Sequence, residues 1–161
     1  MADLVVTGAA GFIGGHIVEL LAALGRTVVA VDREEPQEYL GRLPGVEYIT
    51  AELTDHDERV VAALREAGAV VHLAACPGVR DVAPDIDVRR ERDNVQAAAA
   101  VIAATPPTTP LVVASSSSVY GGSRWERPSQ EDDPLNPRGG YAASKVATEQ
   151  LCVRRRAQGG V

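Results

Sequence analysis

Lysine is almost missing from this chain. Of its 16 basic residues, 15 are arginine, and the single lysine is Lys145. Aromatic residues are scarce too, at 4% of 161 residues, and there are only two cysteines, Cys76 and Cys152. The cysteines form no close-spaced pair and no metal-ligand pattern with His16, His56 or His72, so no metal is expected and both are read as reduced thiols of a cytoplasmic protein. No apolar run approaches the ~20 residues of a membrane span, and no basic segment precedes Thr7, so neither a membrane nor an export route is expected. Positive charge is in deficit: the net charge of −6 argues against a nucleic-acid partner, whose phosphates reward a basic face. The Arg154-Arg155-Arg156 run is the one basic cluster, and it reads as a solvated helix end.

Strands alternating with helices fill the chain. Leu4-Val5-Val6 stops at a glycine-rich turn, and Ile13, Ile17, Leu20, Leu21 and Leu24 then recur at helical spacing from Phe12 onward. Thr27-Val28-Val29-Ala30-Val31 ends at Asp32 and is apolar throughout, as suits a parallel strand buried on both faces. Further strands are expected near Val46 to Thr50, at Ala69 to Leu73 and at Leu111 to Ala114. Helices are expected near Asp57 to Glu66, from Asp87 to Ala104 until Pro106, Pro107 and Pro110 intervene, and from Tyr141 to Ala157. This pattern predicts an α/β fold: a Rossmann-like, doubly wound parallel sheet forming one domain over residues 1–161. The Gly121 to Gly140 connection is too long for a neutral linker in a compact domain and is expected to carry function.

The turn Thr7-Gly8-Ala9-Ala10-Gly11-Phe12-Ile13-Gly14 lies between a strand and a helix, where a pyrophosphate gives each glycine a reason. Gly8 permits the tight turn, Gly11 lets the backbone approach the phosphates, and Gly14 allows close helix–strand packing. The phosphates then sit against the helix N-terminus at Phe12 and Ile13, where unpaired N–H groups favour an anion. Glycine triplets also arise from purely structural turns. Asp32, closing the second strand, supplies the context, because a carboxylate there accepts hydrogen bonds from ribose hydroxyls and repels the extra phosphate of NADP. NAD is the expected cofactor, although the neighbouring Arg33 guanidinium is able to tolerate that phosphate.

Tyr141 and Lys145 are four residues apart, on one face of the last helix. A phenol ionises near pH ~10 and is a poor base at neutral pH unless an ammonium beside it favours the phenolate. That the only lysine stands here is itself suggestive, since a compact ammonium and a planar guanidinium are not interchangeable. Ser115-Ser116-Ser117-Ser118-Val119-Tyr120-Gly121 follows a strand end, where ligands bind in open α/β sheets. These hydroxyls either orient a substrate alcohol or cap backbone groups.

Together these residues resemble the extended branch of the short-chain dehydrogenase/reductases, the NAD-dependent epimerase/dehydratase family, over nearly the whole chain. The resemblance rests on T-G-x-x-G-x-x-G at Thr7, His72-Leu73-Ala74-Ala75, Asn94, S-S-x-x-V-Y-G at Ser116, and Y-x-x-x-K at Tyr141. It implies that Tyr141 is the acid/base, that Lys145 binds the nicotinamide ribose and favours the phenolate, and that Ser116 is their hydroxyl partner. Glu52 and Leu53 fall beside the adenine, and Leu73, Ala74, Ala75 and Asn94 also belong to the cofactor site. Arg80, Ser116 and Ser117 are assigned to the substrate. The implied reaction removes the proton of a sugar C4 hydroxyl through the tyrosine while hydride passes to NAD, and an epimerase returns that hydride to the other face. Sugar 4,6-dehydratases of the family carry Thr-Asp-Glu in this loop, whereas Ser116-Ser117-Ser118 offers no carboxylate. The serine-rich string and Gly78-Val79-Arg80 most resemble UDP-glucuronate 4-epimerases, which implies a UDP-sugar partner and a homodimer.

Extended family members are about twice this length, so the chain is expected to be an N-terminal portion that ends before a sixth strand and lacks the substrate domain. Strand Leu111 to Ala114 would then be an exposed edge that favours association or marginal stability. Two functions stay open: an NAD-dependent nucleotide-sugar epimerase, or a dinucleotide-binding module with no turnover of its own.

Overall fold

Five short apolar runs become five parallel strands, and their order decides where a ligand can sit. The computed structural model, which describes residues 2–78, 82–122 and 127–161, has β1 (Leu4–Thr7), β2 (Val28–Asp32), β3 (Val46–Thr50), β4 (Ala69–His72) and β5 (Leu111–Val113). They form one sheet in the order β3-β2-β1-β4-β5, and every pairing is parallel. The central strand is β1, where Val5 lies opposite Val29 on one side and Val70 on the other. Strand order therefore reverses between β1 and β4, and such a switch point leaves a crevice at the carboxyl ends of the strands.

Alternation along the strands feeds two cores, one on each face of the sheet. Val5, Val29, Val31, Ile49 and Val70 pack with Val60 and Leu64 of α2 (Glu58–Glu66) and with Ala97 and Val101 of α4 (Ala97–Ala104). Val6, Val28 and Ala30 point the other way, onto Val18 of α1 (Phe12–Ala23) and Leu40. This two-sided burial is why β2 reads as an unbroken apolar run. The long helical stretch is not uniform: α3 (Ile86–Arg90) passes into a π-helical segment, Glu91–Gln96, before α4 begins. The last helix, α5 (Gly140–Ala157), packs along α3, the π segment and α4.

Element ends differ from expectation by a residue or so, and local chemistry explains one of them. Asp57 stands outside α2 as its cap, its carboxylate accepting from the Arg59 amide at 2.8 Å. Strand β5 is outermost as expected; Val112 is exposed, and the Leu111 amide donates to the Val161 carbonyl at 3.2 Å. The arginine run needs a correction. Arg154 and Arg156 are solvated, but Arg155 is buried and donates to the carbonyls of Thr105, Pro106, Pro107 and Thr109. A rigid multi-donor guanidinium can tie off a proline-rich turn whose carbonyls have no strand partner, so the middle residue of an apparent charge run is structural. No helix among the described residues is long and apolar enough to cross a membrane.

Candidate functional site

The glycine-rich turn sits at the carboxyl end of β1, beside the switch point, and is packed too tightly for side chains. Gly8 has φ +74°, and a Cβ on it would stand 2.6 Å from the Ala74 amide nitrogen at the end of β4. Gly14 is tighter still, because a Cβ there would meet the Gly8 carbonyl oxygen at 2.0 Å. Its close packing is therefore helix against turn, not helix against strand as expected. Gly11 is the N-cap of α1 and supplies no capping side chain, and the first turn of that helix carries no acidic residue. Its N–H groups are thus left for an anion, with the helix dipole in the same sense. Phe12 and Ile13, at this N-terminus, are exposed. A cradle that excludes Cβ atoms, with free donors at its rim, fits the pyrophosphate of a dinucleotide.

Beyond the turn lies a pocket with apolar walls at Val31, Ala51, Leu53 and Ala97 and a floor at Leu73, Ala74 and Ala75. Asp32 is fixed at its edge, one carboxylate oxygen accepting from the Ala10 amide and the other from the Glu34 amide, both at 3.0 Å. Arg33 also lines the pocket but is not free. Its guanidinium pairs with Asp93 at 3.0 Å and with Glu52 at 3.5 Å. Asp93 is only 5% exposed, and its second oxygen receives Arg92 at 2.6 Å. Burial alone would raise the Asp93 carboxyl, but hydrogen bonds from Arg92 and Arg33 hold it below its ordinary value. Sequence reading missed Asp93; the only local signal is an acid directly before Asn94, and its partner Arg33 is 60 positions away.

The second group of residues comes together at the carboxyl end of β5. Lys145 is buried on α5, donates to the Ala114 carbonyl at 3.0 Å, and holds its ammonium 6.0 Å from the centre of the Tyr141 ring. Desolvation lowers the pKa of this lysine, so its charge sits in a poorly screened environment. Ser116 plays a capping part: its hydroxyl oxygen accepts from the Ser118 amide at 3.2 Å and from the Ser118 hydroxyl at 2.9 Å, starting a 3-10 turn at Ser117–Tyr120. Both readings of this serine remain compatible, since its own hydroxyl hydrogen is uncommitted in these contacts. Ser117 is exposed at the same turn. Arg80 lies outside the described residues.

Asn94, assigned to the cofactor site by resemblance, ties the two groups together. It is 2% exposed; its carbonyl oxygen accepts from the Cys76 amide at 2.6 Å, and its amide donates to Ser144 Oγ at 2.8 Å. Its backbone carbonyl, within the π segment, accepts from Thr148 Oγ1 at 3.0 Å. The loop after β4 and the helix bearing Tyr141 and Lys145 are thus held through one side chain. His72 is a second link. Its Nδ1 shares a 2.7 Å hydrogen bond with Thr7 Oγ1, while Nε2 has no partner among the described residues. Desolvation, then the field of Lys145, lowers its pKa to about 4, so the ring is neutral.

Comparison with known proteins places this geometry among relatives. Residues 4–161 match the NAD dependent epimerase/dehydratase family. A UDP-glucose 4-epimerase of Mycolicibacterium smegmatis is 35% identical over 159 residues, covering 89% of this chain and 48% of that protein. The structure of MoeE5 in complex with UDP-glucose and NAD superposes with a TM-score of 0.83 at 38% identity, over 98% of this chain and 50% of that one. A UDP-glucuronic acid 4-epimerase from Bacillus cereus, in complex with NAD and a fluorinated UDP-glucuronic acid, gives 0.84 at 26% identity, over 96% and 52%. The chain spans about half the length of the relatives it matches.

Proposed function

Since the chain belongs to the NAD dependent epimerase/dehydratase family, we propose that it binds NAD as its cofactor and carries the catalytic groups of a nucleotide-sugar C4 epimerase acting on a UDP-sugar. The observation that carries the catalytic part is the buried Lys145 ammonium set 6.0 Å from the Tyr141 ring at a strand carboxyl end, on the crevice side of the sheet. The relatives bound to NAD with UDP-glucose or UDP-glucuronic acid support the choice of ligands. A homodimer belongs to the same proposal.

In this reading Gly8, Gly11 and the α1 N-terminus hold the pyrophosphate, Asp32 receives the adenosine ribose hydroxyls, and Leu53 and Ala74 wall the adenine. NAD supplies the hydride acceptor and, on return, the hydride donor. Tyr141 takes the proton of the sugar C4 hydroxyl and gives it back, and the fixed positive charge of Lys145 favours the phenolate form that this requires. Ser116 orients the same hydroxyl. Ser116-Ser117-Ser118 carries no carboxylate to act as an acid or base for expelling water, which favours reduction of the oxidised sugar over dehydration. Arg80 is assigned to the substrate on sequence grounds alone.

A second reading, a dinucleotide-binding module without turnover, rests on the pocket at the glycine turn and Asp32, whose lining includes neither Tyr141 nor Lys145. One assay separates the two. With NAD added, UDP-glucuronate and UDP-glucose are each incubated with the protein and C4 epimers are resolved by NMR. The epimerase reading requires product, and Tyr141→Phe should cut its rate by about 10²-fold or more while leaving NAD affinity within about twofold. NAD binding without product establishes the module, and full activity in Tyr141→Phe removes that residue from the mechanism.

A further inference from the structure

Arg33 raises a question that its neighbours answer. A guanidinium directly after Asp32 is suitably charged to receive a second phosphate on the adenosine ribose, which would make the pocket permissive for NADP. Yet Arg33 is anchored away from the ribose edge through one nitrogen, Nη1, which lies 3.0 Å from Asp93 and 3.5 Å from Glu52. Asp93 is 5% exposed, and both of its oxygens are used, one by Arg33 and one by Arg92. Moving Arg33 onto a phosphate would strip a buried carboxylate of one of its two cations, the kind of rupture that is costly in a poorly solvated site. Charge points the same way. Asp32, Glu52 and Asp93 outnumber Arg33 and Arg92 around this rim, so an incoming 2′-phosphate meets net negative charge.

We infer that Asp93 sets a preference for NAD over NADP by sequestering Arg33, acting as a positioning residue and not as a group that touches the cofactor. The inference rests on the NAD-binding reading above. It assigns Asp93 a task distinct from that of Asp32: Asp32 faces the ribose, whereas Asp93 holds back a cation that would otherwise cancel the selectivity of Asp32.

The test is direct titration of NAD and NADP by calorimetry, with thermal melts to confirm folding. The wild-type chain should bind NAD and bind NADP at least ~10-fold more weakly. Asp93→Asn should free Arg33 and reduce that ratio by about 10-fold, the scale of one charge-assisted hydrogen bond to phosphate. Adding Arg33→Ala to Asp93→Asn should restore the ratio, which shows that the gain runs through Arg33. If Asp93→Asn does not fold, Arg33→Ala alone decides: a sequestered arginine changes both affinities by a common factor, keeping their ratio within about twofold. An unchanged ratio in folded Asp93→Asn overturns the inference. So does a selective loss of NADP binding in Arg33→Ala, or equal wild-type affinities. Failure of the wild-type chain to bind either nucleotide is a different result, and it sinks the NAD reading itself.

Discussion

The end of the crevice at the glycine turn and the end at Tyr141 and Lys145 are built in opposite ways. The first is made of backbone and short contiguous sequence: a turn too tight for Cβ atoms at Gly8 and Gly14, and an aspartate whose two oxygens are fixed by nearby amides. At the second, side chains are brought from far apart and held by hydrogen bonds between elements, among them Lys145 on the Ala114 carbonyl, Ser144 on Asn94 and Thr148 on the Asn94 carbonyl. The first design tolerates little change at any one position because the backbone itself is the device. The second depends on links between elements, so its weak points lie in residues that never approach a substrate.

The difference can be broken most forcefully at Gly14. Gly14→Ala places a methyl 2.0 Å from the Gly8 carbonyl oxygen, where no flexible side chain can yield. It should cost at least about 3 kcal/mol in urea unfolding and abolish NAD binding, because relief requires moving the turn itself. An alanine variant that binds NAD normally would show that the turn is more pliant than its packing implies.

His72 offers the next largest effect and sits between the two ends, bonded to Thr7 of β1 and facing the field of Lys145. The unfolded histidine takes a proton near pH 6.5, whereas the folded one resists until about 4. Between those values the unfolded state binds more protons, so stability is full above about pH 6.5 and falls as the pH drops. The total loss by pH 4 should be about 3 kcal/mol. Chemical denaturation at pH 7.5 and 4.5 measures it, and His72→Asn should flatten that interval. Equal slopes in the two proteins would mean that other groups dominate acid unfolding.

A smaller effect isolates the link itself. Asn94→Ala removes the acceptor of the Cys76 amide and the donor to Ser144 and should cost about 2 kcal/mol. Its sharper signature is asymmetric: epimerisation, where present, falls more than NAD affinity, because α5 loses its register while the glycine turn keeps its own supports. Equal losses would assign Asn94 to the cofactor site after all.

These contrasts also explain what the sequence revealed. The strand, turn and helix from Leu4 to Ala23 were legible because their determinants are contiguous: apolar periodicity and glycines at fixed offsets. Tyr141 and Lys145 were legible as a helical pair, helped by the scarcity of lysine. Asp93 was not, because a buried acid looks like any of the other 21 acidic residues until Arg33 is seen beside it. Arg155 was misread because neighbouring charges suggest a solvated face, and only the turn at Pro106 and Pro107 shows otherwise. The contacts of Asn94 with Cys76 and Ser144 were not legible, since both partners are far away in sequence and the π turn leaves no periodic mark.

Whether the turn, Asp32 and the pocket behind them hold a dinucleotide is decided by calorimetric titration of the chain with NAD. Saturable binding of about one equivalent, lost in Gly14→Ala, is the expected result; a chain that is folded by circular dichroism yet shows no saturable uptake of NAD would contradict it.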